Sequence, residues 1–202
     1  VALKVLAVGV EQVRAMVRIA DTAWTDDGVH EALAASGWLP EGRRIDRGPG
    51  GGLEFGGTLD IGNDRELELG SAPPGPRAFV AMPFALLWPP INADDTDDTD
   101  DTDDDGDEDD LDGEYPDVWE RRPDAGPAEF EAEFLRVRAL LEDLVGPPSH
   151  VHGSVASGVR WDVWERGDTV LTLYAQDDIP SYSHYDRLAL AVWTADGWTP
   201  PE

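Results

Sequence analysis

Residues 159–175 read Val-Arg-Trp-Asp-Val-Trp-Glu-Arg-Gly-Asp-Thr-Val-Leu-Thr-Leu-Tyr-Ala. Alternation runs over 159–164, the chain turns at 165–168, and alternation resumes over 169–175. Period two on both sides of a Gly-Asp turn predicts an antiparallel hairpin. Residues 187–193 repeat the pattern and predict a third strand of the same meander. One face of the meander takes Val159, Trp161, Val163, Leu171, Leu173, Leu188, Leu190 and Val192 as core. The other takes Trp164, Val170, Thr172, Tyr174, Ala189, Ala191 and Trp193, which is too apolar to stand uncovered in water. Either another part of the chain covers that face, or it is an aromatic surface for a protein partner. On the second reading Trp164, Tyr174 and Trp193 are the partner-binding residues, because large rigid rings give contact area at small entropic cost.

Upstream, Pro127 suits a first helical turn. Phe130, Phe134, Val137, Leu141 and Leu144 form one helical stripe that Gly146-Pro147-Pro148 ends. The N-terminal part has a similar order. Val10, Val13, Val17, Ala20 and Trp24 fall near helical spacing, and a second helix over 26–36 has Thr25 as N-cap and Gly37 after its end. Strand patterns follow over 52–61, 65–69 and 78–88, the first two joined by a turn at Gly62-Asn63-Asp64. Pro83 puts the third at a sheet edge or gives it a bulge. The expected fold class is therefore α+β. Residues 1–90 and 118–202 form two α-βββ halves, with six antiparallel strands in one sheet and helices packed on one face. Residues 91–117 form an insertion, and the whole makes one composite domain.

The insertion dominates the charge. Of 43 acidic residues in 202, sixteen fall between Asp94 and Asp117, and the formal net charge is −28. With almost nothing apolar to bury, this stretch predicts a disordered acidic loop. Within it Asp101, Asp103, Asp105, Gly106 and Asp112 match the spacing of an EF-hand calcium loop, whose alternate carboxylates surround the ion. Two departures weaken the match. Position twelve is Asp rather than the longer Glu, and Glu108 stands where the loop normally packs an apolar residue. A solvated polyanion is the reading preferred, and a calcium module using these four aspartates is the alternative.

Other chemistry is thinly represented. The chain has no Cys, which excludes disulfides, thiolate zinc sites and thiol catalysis. His150 and His152 point two imidazoles to one side of a strand, with His184 as a guessed third zinc ligand; structural histidines are the simpler reading. Residues 153–158 do not form a G-x-S-x-G elbow, and the glycine-rich run 48–52 lacks the lysine of a phosphate-binding loop. No cofactor is expected and no enzyme activity is indicated. An excess of 43 acids over 15 bases opposes phosphate-backbone and anionic-membrane binding. No stretch reaches the ~20 apolar residues of a membrane span, and the opening VALKVLAVGV lacks a leader's basic region. A cytoplasmic protein is expected.

Ala23-Trp24, Ala34-Ala35-Ser36-Gly37-Trp38, Gly146-Pro147-Pro148, and Trp161 with Trp164-Glu165-Arg166-Gly167-Asp168-Thr169-Val170-Leu171-Thr172-Leu173 together resemble small uncharacterised actinobacterial proteins. Some of these are similar to immunity proteins encoded beside polymorphic toxins. The resemblance omits the acidic tract and brings no functional residues with it. It implies an α+β fold and a non-catalytic, inhibitory role. The expected function is thus a protein-binding module for a basic partner. The calcium module and an enzyme of unrecognised type are the alternatives.

Overall fold

The computed structural model describes residues 2–39, 57–63, 65–71, 73, 75, 78–88, 118–177, 185–196 and 198–199. The elements run β1 (Ala2–Val5), α1 (Val10–Ala20), α2 (Asp26–Ala35), β2 (Gly57–Asp60), β3 (Glu66–Leu69), β4 (Phe79–Trp88) and β5 (Glu120–Arg122). They continue with α3 (Pro127–Val145), β6 (His150–Ser154), a 3-10 turn (Val155–Ser157), β7 (Val159–Arg166), β8 (Thr169–Asp177) and β9 (Asp186–Thr194). Among the described residues the fold is α+β, three helices with an antiparallel sheet of nine strands.

The sheet runs β2-β3-β4-β9-β8-β7-β6, and β1 pairs with both β4 and β5. Six strands, β2, β3, β4, β7, β8 and β9, fall on the stretches expected from the sequence, while residues 52–56 of the first stretch lie outside the described residues. The sheet gains three more in β1, β5 and β6, each five residues or fewer. The β2–β3 turn closes as expected, with the Ile61 N–H donating to the Arg65 carbonyl at 2.9 Å. β4 is central rather than at an edge, because β9 pairs along its length. Pro83 is tolerated there for two reasons. The β4–β9 ladder carries a bulge between Pro83 and Ala85. On the other side Pro83 falls between the stretch paired with β3 (Val80, Ala81) and the stretch paired with β1 (Ala85 to Trp88). Neither of those two ladders includes Pro83, so its missing N–H costs them no bond.

The helices begin where the sequence supplies acceptors for their first N–H groups. Thr25 Oγ1 accepts from the Gly28 N–H at 3.1 Å. At α3 the Glu129 carboxylate accepts from the Gly126 N–H at 3.0 Å, and Pro127 opens the first turn. The α3 stripe is buried through Phe130, Phe134, Val137 and Leu141, whereas Leu144 is exposed one turn too far along. On α1 the buried face is Val13, Ala15, Met16, Ile19 and Ala20. Val10 is exposed, which corrects the stripe expected to begin there.

Buried residues of α1, α2 and α3 join one apolar cluster with Val80, Met82 and Phe84 of β4, Leu171 and Leu173 of β8, and Leu188, Leu190 and Val192 of β9. Ion pairs fasten the helices at the margins. Glu133 of α3 lies between Arg122 of β5, at 2.9 Å, and Arg136, at 2.8 Å. Burial alone would raise the Glu133 carboxyl, but the bonds from Arg136 and then Arg122 outweigh it and hold it below the usual carboxylate range.

Candidate functional site

A second cluster lies across the sheet from the helices. It contains Ala81, Trp161, Val163, Val170, Tyr174, Ala189 and Ala191, with Phe79, Trp193, Ala195 and Trp198 packed partly buried against it. No residue of the three helices belongs to it. Trp161 stacks on Tyr174 with ring centroids 4.4 Å apart and planes at 16°. The Trp198 ring meets Trp161 edge-on at 5.9 Å, and Phe79 lies 4.8 Å from Trp193. Offset and edge contacts of this kind add ~0.5–1.5 kcal/mol each to simple burial.

Trp164 is not on this face, which corrects its expected place. The β7–β8 turn is two residues, Gly167-Asp168, so Arg166 faces Thr169 and Trp164 faces Leu171. Side chains directly opposite share a face, and Leu171 belongs to the helix side. The whole phase of β7 is therefore one residue from that expected. Trp161 and Val163 join Tyr174, while Trp164 is buried beneath the helices with its indole N–H donating to the Gly146 carbonyl at 2.8 Å. Arg160 and Asp162 turn to the helix side with Trp164. Asp162 has no exposure and meets Arg160 Nε at 2.8 Å and Arg138 Nε at 3.0 Å.

Tyr174 and Trp193 do lie on the second face. Tyr174 is buried, its hydroxyl accepting from Arg187 Nη2 at 3.0 Å. Trp193 is half-buried and donates its indole N–H to Thr172 Oγ1 at 2.8 Å. The ring edges left near solvent belong to Phe79, Trp193 and Trp198.

Beside this cluster opens a groove of about 550 Å³. His150 and His152 of β6 form one wall, Val163 and Glu165 of β7 the floor, and Gly167, Thr169 and Val170 the turn side; Ala195 and Trp198 close it. The chain after β9 folds back to supply that last wall. The Ala195 N–H donates to the Asp168 carbonyl at 2.9 Å, and the Trp198 N–H donates to the Ala195 carbonyl at 3.2 Å. His150 Nε2 lies 3.1 Å from Glu165 Oε1, and both side chains are exposed. Among the described lining residues Glu165 is the one acid and there is no Lys or Arg.

His150 and His152 do share one side of β6, with ring centroids 6.3 Å apart. His184 lies outside the described residues, and among the described residues no three His, Asp or Glu side chains are placed to hold a metal ion. Asp101, Asp103, Asp105 and Asp112 also lie outside the described residues. A His–Glu pair in a groove has the base-and-orienter form of general base catalysis. Its companions here are poor in nucleophiles. Thr169 supplies the one lining hydroxyl, and that hydroxyl donates to the Ala20 carbonyl at 2.7 Å. Trp198 and Glu165 were not legible as site residues, since one follows the last strand and the other reads as a turn.

Family models, curated proteins and solved structures compared with the chain give no match. No helix among the described residues is long and apolar enough to cross a membrane.

Proposed function

We propose that the chain is a non-catalytic, cytoplasmic protein-binding module for a basic protein, acting as an immunity protein acts on its toxin. The observation that carries this reading is the second sheet face. Its aromatic cluster has no helix over it among the described residues and runs into an open groove whose one charged lining residue is Glu165. An apolar floor with a polar, anionic rim is the anatomy of a protein interface. A net charge of −28 would speed encounter with a cationic partner and repel nucleic acid. The matching order β2-β3-β4 and β7-β8-β9, joined at β4–β9, supports two α-βββ halves behind this surface.

The reading is tested by capture on the immobilised full chain with salt stepped upward. A basic protein held stoichiometrically, released by salt and weakened by Trp193→Ala, is expected. If no basic protein is retained at any salt, the reading is wrong.

A further inference from the structure

We propose that the groove between β6, the β7–β8 turn and Trp198 receives an arginine side chain of the basic partner. This rests on the protein-binding reading and names what that site recognises. Charge complementarity is the first argument. The lining holds Glu165 and no Lys or Arg among the described residues, and the adjoining Asp168 and Asp196 are exposed. Glu165 is already oriented, since His150 Nε2 holds its Oε1 at 3.1 Å.

Shape supplies the second argument. Val163 and Val170 offer apolar wall for a methylene stem, as long cationic side chains require. Trp198 offers an indole, the ring that attracts cations most strongly. That indole is fixed in place by its edge contact with Trp161 at 5.9 Å and by the backbone bond to Ala195. A volume of about 550 Å³ lies within the ~300–1,000 Å³ of sites that enclose small groups. A guanidinium is favoured over an ammonium because it is planar, less hydrated, and can stack on an indole while facing a carboxylate.

The test is a titration of the full chain with the blocked tripeptide acetyl-Gly-Arg-Gly-amide, read by NMR at the Trp198 indole N–H and the His150 ring. The citrulline and lysine tripeptides serve as controls. We expect saturable shifts at both residues with arginine, weaker binding with lysine, and none with citrulline. Glu165→Gln should weaken arginine binding by about fivefold or more, and Trp198→Ala by a similar factor. No saturable shift at Trp198, an equal response to citrulline, or binding unaltered by Glu165→Gln would overturn the assignment. Repeating the capture experiment with Glu165→Gln separates the two ideas. A partner retained undiminished while the tripeptide gives no shift ends the groove assignment and leaves the binding module standing. A groove that saturates with arginine while no protein is captured ends the module reading instead.

Discussion

Arg138 of α3 and Asp162 of β7 form an ion pair at 3.0 Å, and Asp162 has no solvent exposure. Arg160 closes on the same carboxylate through Nε and Nη2, at 2.8 and 3.1 Å, while its guanidinium lies 4.7 Å from the centre of the Phe134 ring. Two cations thus share one buried anion at the seam between helix and sheet. Removing the anion leaves Arg160 without this counter-charge and Arg138 with only Glu142, 3.0 Å away on the same helix. We expect Asp162→Asn to cost about 3–5 kcal/mol, read as a fall in the urea midpoint at constant slope. Arg138→Met should cost far less, because Arg160 still pairs with Asp162. A loss under ~1 kcal/mol for Asp162→Asn would mean the cluster does not fasten α3.

Acid sensitivity should trace to α3. Glu133 titrates below the ordinary carboxylate range because its bonds from Arg136 and Arg122 outweigh burial. Glu129, bonded by the Gly126 N–H, and Glu120, bonded by Arg122, are depressed as well. A depressed folded-state value means that the unfolded chain binds more protons in the acid range. The stabilisation is therefore present above about pH 4.3, the usual glutamate value, and is lost as pH falls through the folded value. Glu133→Gln should flatten the stability curve between about pH 5 and pH 3. An unchanged slope in that mutant would assign acid unfolding to other groups.

Two tryptophans on the same strand should respond oppositely to loss of the indole N–H. Trp164 donates to Gly146, whereas the buried Trp161 Nε1 has no acceptor among the described residues. An orphaned buried donor or acceptor costs ~1–3 kcal/mol. Trp164→Phe loses the bond to the half-buried Gly146 carbonyl, and Trp161→Phe removes a donor that is unpaired among the described residues. Both lose ring volume. The Trp164 variant should therefore be the less stable by about 0.5–1.5 kcal/mol in paired thermal or urea unfolding. The reverse order would refute this account of the two indoles.

β6 depends on a residue without a side chain. Gly153 has φ +67°, and a Cβ placed there would stand 2.1 Å from the Val159 carbonyl oxygen. Gly153→Ala should cost at least ~1–3 kcal/mol from backbone strain and detach β6 from β7. Hydrogen exchange reports this directly. Protection should fall for the β6 amides while β8 and β9 keep theirs, and undiminished protection in β6 would contradict the prediction.

The element types of the meander were legible because two-residue alternation survives burial on either face. The phase of β7 was not. Arg160 and Asp162 are polar and give alternation no apolar residue to place on the helix side, yet their ion pairs with each other and with Arg138 carry them there. Trp161 and Val163 then take the opposite face. The length of the Gly167-Asp168 turn held the correction, since it sets Trp164 against Leu171. The short strands are another matter. β5 is Glu-Arg-Arg and has no apolar residue to announce it; pairing with β1 makes it a strand. Of the candidate site, Tyr174 and Trp193 were placed on their face correctly. Glu165 and Trp198 gain meaning only when the chain after β9 returns to the β7–β8 turn.

The β4–β9 seam also sets a timetable for synthesis. β4 pairs with its near neighbours β1 and β3 soon after it is made, but its other edge waits for residues 186–194. Until then the N-terminal strands present an apolar edge with unsatisfied backbone groups, the kind that recruits stray chains. Trp24 is in the same position, because its indole N–H finds the Thr194 hydroxyl, 2.7 Å away, only after β9 has emerged. Nascent chains halted before residue 186 are thus the form of this protein most in need of a chaperone.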